Sequence, residues 1–258
     1  MIKVVFIINA TRKLSDYTES VLSLANKSDK LKVKICYTEY EKHATELALT
    51  ESFNNDILIA VGGDGTNHEV LHGIYKSENK DIVFGIIPNG TGNDFSKVLN
   101  PLIATDFVYT LEEQLFSKID IGEVTFENNK SSFLNIADIG FGVKVVELMN
   151  RQRLAGIKGK LSYATAILRA FYSCKKISIS ISGNGFKHKG KVLMTAFCNG
   201  STFGHGLVIN PVAKINSGKL EVTIIGNVSL LTYIKYLGKL KKGKKLIILK
   251  CITIKQIL

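Results

Sequence analysis

The first hundred residues alternate between short apolar runs and amphipathic stretches. Ile2–Ile8 is apolar except for Lys3, the pattern of a strand buried on both faces. A polar loop follows, Asn9-Ala10-Thr11-Arg12-Lys13, and then Tyr17–Asn26 carries Val21, Leu22, Leu24 and Ala25 at helical spacing. Leu31–Cys36 alternates as a strand that Thr38 ends, and His43–Phe53 puts Ala44, Leu47 and Ala48 on one helical face. Two more apolar runs, Ile57–Val61 and Ile82–Ile87, each open into a glycine loop and then a helix-like segment. This β-α-β-α-β-α-β order predicts an open α/β sheet with helices on both faces and its ligand at the carboxyl ends of the strands.

The pattern changes near Ile119. Ile119–Val124, Phe133–Ala137, Ile177–Ile181, Val192–Phe197, Leu220–Ile225 and Leu246–Ile254 read as strands without regularly alternating helices. Turn signals separate them: Asn128-Asn129, Gly183-Asn184-Gly185, Asn199-Gly200 and Ser217-Gly218. Two helices interrupt, over Val143–Asn150 and over Leu161–Tyr172, where Leu161, Ala164, Leu168 and Phe171 share a face. The expected organisation is an α/β domain over residues 1–118 and a mostly antiparallel β domain over residues 119–258.

Composition narrows the class. A chain of 258 residues can bury two modest cores, and 45% hydrophobic residues with three prolines argue for ordered structure. Cys36, Cys174, Cys198 and Cys251 are scattered, as buried thiols of a reducing compartment rather than a disulfide frame or zinc site. The chain enters its first strand without a signal-peptide pattern, and no apolar run approaches the ~20 residues of a membrane span. A cytoplasmic protein is expected. The net charge is +12, with basic clusters at Lys239, Lys241, Lys242, Lys244 and Lys245 and at Arg151, Arg153, Lys158 and Lys160. Such clusters serve a nucleic acid, an anionic membrane or an anionic ligand, or are solvated loop charges. No aromatic and basic interleaving marks a nucleic-acid partner. An edge strand could pair two copies, but nothing points to an oligomer.

The chemistry concentrates in the two glycine loops, Gly62-Gly63-Asp64-Gly65-Thr66 and Asn89-Gly90-Thr91-Gly92-Asn93-Asp94. Backbone N–H groups at such loops and helix starts accept phosphate oxygens, which points to a nucleotide phosphate site. A carboxylate beside phosphate is accounted for if it holds Mg²⁺, directly or through water; the alternative is a turn aspartate bonding backbone N–H groups. Thr66 and Glu69 have capping-box spacing, and Thr66 and Asn67 could equally touch phosphate. With Asp120, three carboxylates suggest metal-assisted phosphoryl transfer. Gly185–Lys191 nearly fits a P-loop, but Val192 stands where Ser or Thr is required. His205, between glycines, reads as a turn residue.

The two loops together resemble the signatures of the diacylglycerol kinase catalytic-domain family, which includes bacterial lipid kinases and sphingosine kinases. The first is Gly62–Thr66 with Glu69; the second is Gly90-Thr91-Gly92-Asn93-Asp94-Phe95. NAD kinases and phosphofructokinases carry loops like the first but not the second. Weaker similarity covers Thr38 with His43-Ala44, Asn135–Glu147, Asn199–Pro211 and Ser217–Val222. The resemblance implies an α/β + β fold: an N-terminal open α/β domain of the phosphofructokinase and NAD-kinase type, then an antiparallel β-sandwich that accommodates lipid. It implies ATP as phosphoryl donor, Mg²⁺, and a lipid hydroxyl such as that of diacylglycerol as acceptor, a role in phospholipid biosynthesis. ATP contacts then fall on Asn9, Ala10, Thr11, Arg12, Lys13, Thr38, Gly63, Asp64, Gly65, Thr66, Asn67, His68, Glu69 and Thr91. Asp64, Asp94 and Asp120 match the family's catalytic Asp–water–Mg²⁺ network. Its structural-metal loop falls on Lys214, Ser217 and Lys219, where Ser217 replaces the family's aspartate.

The first loop reads Asn9-Ala10 where the family has Asn-Pro. The family's Asp-Gly-Glu, whose glutamate serves as base, does not occur before Leu258. Two expectations follow: a lipid kinase shortened at its C-terminus, or a catalytically impaired nucleotide-binding relative. Either would work peripherally at a membrane surface, with lysines near Lys241 meeting anionic headgroups at ~1 kcal/mol each.

Overall fold

The computed structural model describes residues 1–79, 81–127, 129–157, 160–183, 186–244 and 249–255. Asn128, Asn184, Gly185, Lys158, Lys245 and the start of the expected 246–254 strand lie outside them. The chain forms two compact units, residues 1–134 with 204–206, and residues 135–203 with 207–258.

The first unit opens β1 (Ile2–Asn9), α1 (Asp16–Lys27), β2 (Leu31–Thr38), α2 (His43–Glu51), β3 (Ile57–Gly62), α3 (Asp64–Ser77), β4 (Val83–Pro88). The four strands are parallel, in the order β2-β1-β3-β4. Val4, Phe6 and Ile8 of β1 pack on one face with Val21, Leu22 and Ala25 of α1; Val5 and Ile7 pack on the other with Ala44 and Ala48 of α2 and Val70 of α3. All five β1 side chains are fully buried. Each contributes roughly 1.5–3 kcal/mol relative to exposure, and this two-faced burial is why the strand reads as a continuous apolar run. Ser15 caps α1 by accepting the Thr18 N–H at 3.2 Å.

The helix-like segment expected after the second loop is only one 3-10 turn, Phe95–Val98, and the helix that follows, α4 (Ala104–Glu112), joins the α1 face through Val108 and Leu111. A hairpin of β5 (Gly122–Phe126) and β6 (Asn129–Phe133) completes the unit, with Tyr75 of α3 donating to Glu123 Oε2 at 2.5 Å. The expected strand Phe133–Ala137 is two elements. The chain breaks after Phe133, and Asn135 accepts the Asn199 and Gly200 N–H groups on its carbonyl while its side chain donates to the Thr202 carbonyl.

The second unit is β-rich, with three helices among its described residues. It runs β7 (Ile136–Gly140), α5 (Phe141–Leu154), α6 (Lys160–Ser173), β8 (Ile177–Gly183), β9 (Phe186–Val192), β10 (Met194–Cys198), β11 (Thr202–Phe203), β12 (Leu207–Val208), β13 (Lys219–Ile225), α7 (Leu230–Lys241), β14 (Leu249–Lys255). β14-β13-β10-β7 form an antiparallel sheet, and β8–β9 a separate hairpin. From Phe186 on, the P-loop-like stretch therefore lies along β9, a hairpin strand. The lysines at 239 and 241 sit on α7, not in a loop. Cys36 and Cys174 are half-buried free thiols and Cys198 a buried one. Among the described residues no helix is long and apolar enough to cross a membrane.

Candidate functional site

The strand order 2-1-3-4 places a topological switch between β1 and β3, where an open α/β sheet leaves a crevice at its carboxyl edge. Register brings the strand ends level there: Asn9 of β1 opposite Thr38 of β2, Gly62 of β3 opposite Pro88 of β4. Asn9 spans the switch by donating its amide to Thr66 Oγ1 at 3.1 Å, while its Oδ1 accepts the Thr11 N–H and hydroxyl. Thr38 Oγ1 accepts the Ala10 N–H at 3.4 Å. Arg12 donates to Thr91 Oγ1 at 2.6 Å, which ties the first loop to the second glycine loop. Asn89 reinforces that tie. Its Oδ1 accepts the Ser15 N–H, its amide donates to the Lys13 carbonyl, and its backbone N–H donates to Gly62.

The glycine loops meet at Gly63 and Gly90. A Cβ on Gly90 would stand 2.4 Å from Gly63 Cα, a distance no side chain tolerates. Asp64 clasps the second loop, its Oδ2 accepting the Asp94 N–H and its Oδ1 the Phe95 N–H, both at 3.0 Å. Asp94, 7% exposed, accepts the N–H groups of His205 and Gly206 at 2.9 and 2.8 Å and the Lys97 ammonium at 2.7 Å. Gly204, His205 and Gly206 all have positive φ, so successive N–H groups converge on this one carboxylate. His205 thus acts here through its backbone, as a turn residue. Lys97 and the 204–206 turn were not singled out as site residues. The glycine flanks of His205 were the sequence signal for the turn.

The capping box does not form. α3 begins at Asp64 with Gly63 as its N-cap, one turn earlier than Thr66 suggests. Thr66 folds back over Gly62, where a Cβ would stand 2.3 Å from its hydroxyl. Glu69 instead lies beside the neighbouring helix, where its carbonyl accepts the Thr45 hydroxyl at 3.0 Å. Lys42, the N-cap of α2, is left-handed and makes no side-chain capping bond. Burial raises the Glu69 pKa, although the nearby Lys42 and Ala44 N–H groups favour its charged form. His68 keeps an exposed edge, yet desolvation lowers its pKa. Asn67 is 2% exposed, and its Oδ1 has no partner among the described residues.

Asp64 Oδ2 and Asp94 Oδ2 border one small space, 3.1 and 3.6 Å from where a Cβ on Gly92 would stand. Hard oxygens around a gap that only glycine leaves open suit Mg²⁺ held through its water shell. Each carboxylate oxygen keeps a further lone pair for a bridging water. Asp120 is half-buried two residues before β5 and does not complete a three-carboxylate cluster. Among the described residues, no three His, Cys, Asp or Glu side chains converge as metal ligands.

Residues 3–124 match the diacylglycerol kinase catalytic domain, and residues 135–254 match the YegS C-terminal NAD kinase β-sandwich-like domain. This chain belongs to the diacylglycerol kinase catalytic-domain family. A "Probable lipid kinase YegS-like" of Xanthomonas oryzae pv. oryzae is 26% identical over 217 residues, 82% of this chain and 69% of that protein. Another, of Pseudomonas aeruginosa, is 32% identical over 168 residues, 65% of this chain and 54% of that protein. In fold, the chain resembles a crystal structure of a diacylglycerol kinase from Bacillus anthracis Sterne, with TM-score 0.67 and 20% identity over 98% of this chain and 84% of that one.

In this lipid kinase family member the stretch matched to the family's structural-metal loop presents no carboxylate. Ser217 donates its hydroxyl to the Lys214 carbonyl at 2.9 Å and lies 3.4 Å from the Lys219 carbonyl, with Gly218 at φ 62°. A hydroxyl bridges the two carbonyls that would face a cation, so these residues do not fit one.

Proposed function

We propose that this chain is an ATP-dependent lipid kinase that transfers the γ-phosphoryl group to the hydroxyl of a lipid such as diacylglycerol. The observation that carries the reading is the contact of two glycine loops at Gly63 and Gly90, clasped by Asp64 at the switch point of a parallel sheet. The start of α3, Asp64 to Thr66, precedes the first intrahelical bond, from the Asn67 N–H to the Gly63 carbonyl, and so offers N–H groups and a helix dipole to phosphate oxygens. Arg12 and Thr91, hydrogen-bonded to each other at 2.6 Å, bring positive charge and a hydroxyl to the second glycine loop. Asn9, Thr38, Thr66 and Asn89 hold the loops in place.

In the reaction the lipid hydroxyl oxygen bonds to the γ-phosphorus. The bond from that phosphorus to the β–γ bridging oxygen breaks, ADP leaves with the electron pair, and the hydroxyl proton is lost. Positioning and charge neutralisation supply most of the acceleration in such transfers. Mg²⁺, when bound through water at Asp64 and Asp94, would neutralise phosphate charge. The protein's own residues fix the loop geometry around it.

The test is a panel of lipid alcohols (long-chain diacylglycerol, monoacylglycerol, sphingoid base) with labelled ATP, on this chain and on one extended at its C-terminus. Labelled phospholipid from at least one member is expected. ATP binding without turnover of any lipid alcohol by either form would refute the kinase reading and favour a nucleotide-binding relative. NADP⁺ formation from NAD⁺ would refute the lipid acceptor.

A further inference from the structure

The outer face of α7 joins two properties that seldom coexist on a solvent-facing helix. Its inner side, Tyr233, Tyr236, Leu237 and Leu240, packs on Leu207 within the second unit. At 100° per residue the opposite side is centred on Leu231, with Ile234, Lys235, Gly238 and Lys242 beside it at i+3, i+4, i+7 and i+11. Leu231 is 79% exposed and Ile234 55%. Lys239 and Lys241 flank the stripe, and Lys242 and Lys244 continue it past the helix end. Lys235 and Lys239 lie 5.8 and 5.2 Å from the Tyr236 ring centroid, their stems lying along the helix.

The charge of this stretch of chain has one sign. Eight of the 34 basic residues and none of the 22 acidic ones fall after Glu221, so residues 222–258 carry two thirds of the net charge of +12. Among the described residues, the ion pairs that form involve other lysines and arginines and none of those on α7. A surface meant only for water has no use for Leu231 and Ile234 at its centre. A protein partner of ordinary composition would not need an acid-free stretch of this length.

We infer that the outer face of α7 is the surface by which this chain docks on an anionic bilayer. The helix lies in the membrane plane with Leu231 and Ile234 inserted among the acyl chains and the lysines among acidic headgroups. The inference deepens the lipid-kinase reading, since a water-exposed enzyme must come to an insoluble substrate, but its own evidence is the geometry and charge of α7.

The test is cosedimentation of the full chain with phosphatidylcholine vesicles, with and without phosphatidylglycerol, in the absence of ATP. Binding is expected only with phosphatidylglycerol and should weaken as salt rises. Lys239→Gln/Lys241→Gln/Lys242→Gln should weaken it roughly 100-fold, from about 5-fold per lysine. Leu231→Ser/Ile234→Ser should also weaken it. The same charge change on exposed β9 positions, Lys187→Gln/Lys189→Gln/Lys191→Gln, should do far less. All these positions are exposed, and unchanged melting would show that each variant folds. Equal loss from the α7 and β9 triples, equal binding to neutral and anionic vesicles, or displacement from vesicles by an RNA oligomer that also binds the Leu231→Ser/Ile234→Ser variant normally would overturn the assignment. The two readings separate cleanly. If vesicles bind through α7 but no lipid alcohol is phosphorylated, the kinase reading falls and the surface stands. If a soluble short-chain diacylglycerol is phosphorylated while the α7 triple binds vesicles as wild type does, the surface falls and the kinase reading stands.

Discussion

Replacing Gly90 by alanine tests the joined glycine loops most sharply. Its Cβ would lie 2.4 Å from Gly63 Cα, 2.6 Å from Asn93 Oδ1 and 3.0 Å from Gly63 N. Carbon atoms at rest sit ~3.5–4.0 Å apart, so the loops must part by more than about 1 Å. Two of the three obstructing atoms are backbone, and the Asn93 side chain is itself held by Gly90, accepting its N–H at 2.9 Å and donating to its carbonyl at 3.0 Å. Overpacking of this kind costs ~1–3 kcal/mol, or about 2–10 °C in Tm for a chain of this size. Parting the loops also stretches both Asp64 bonds to the second loop. A shift of ~1 Å in a phosphate-positioning element can reduce turnover by ~10²-fold. The assay pairs thermal melting with equilibrium ATP binding and turnover, and Gly65→Ala serves as its counterpart. Gly65 has open space around its Cβ position and lies in the first turn of α3. Alanine there should hold or raise stability by up to ~1 kcal/mol while weakening ATP binding, because the new methyl would enter the proposed phosphate site. A Gly90→Ala protein with wild-type Tm and ATP affinity would refute the reasoning.

Three further substitutions probe neighbouring contacts. Asp94→Asn turns one acceptor into a donor facing an N–H of the 204–206 turn and removes the charge paired with Lys97; a loss of about 2–3 kcal/mol is expected by chemical denaturation, and less than ~0.5 kcal/mol would contradict the described role. Gly73→Ala would place a methyl 2.4 Å from the Thr45 carbonyl and 2.6 Å from Ala48 Cβ, so α2 and α3 should separate with a fall of ~1–3 kcal/mol in stability, visible as a lower Tm. Glu69→Gln tests linkage: because burial raises the folded-state pKa of Glu69, its share of stability is full below the unfolded pKa near 4.5 and is lost as pH rises through the raised folded value. The glutamine variant should flatten that part of the pH–stability curve measured by urea denaturation, and an unchanged curve would contradict a Glu69 carboxyl whose pKa burial raises.

Much of the first unit was legible in the sequence because its strands are buried on both faces. The runs at Ile2–Ile8 and Ile57–Val61 leave no other reading, and the loops that follow them share a sheet edge by topology alone. What could not be read depends on contacts distant in sequence. Thr66 and Glu69 have capping-box spacing, yet α3 starts at Asp64 with Gly63 as its N-cap, and Glu69 packs beside α2, where its carbonyl accepts the Thr45 hydroxyl. Asn135 splits an expected strand because Thr202, Asn199 and Gly200 draw it into a turn. α7 was hidden by its own outer face, since exposed Leu231 and Ile234 blur the apolar stripe and its lysines imitate a loop. Within the site, Asp64 and Thr66 were visible from their glycine neighbours. Lys97, which pairs with Asp94, was not, because one lysine in a polar segment carries no pattern.

The proposed kinase activity requires the two glycine loops to form one nucleotide site. Hydrogen exchange at the amides of residues 63–67 and 90–95, with and without Mg²⁺ and ATP, tests this most directly. Slowed exchange in both segments over the same ATP concentration range is predicted. Protection of one segment alone, or of neither while ATP is bound, would contradict it.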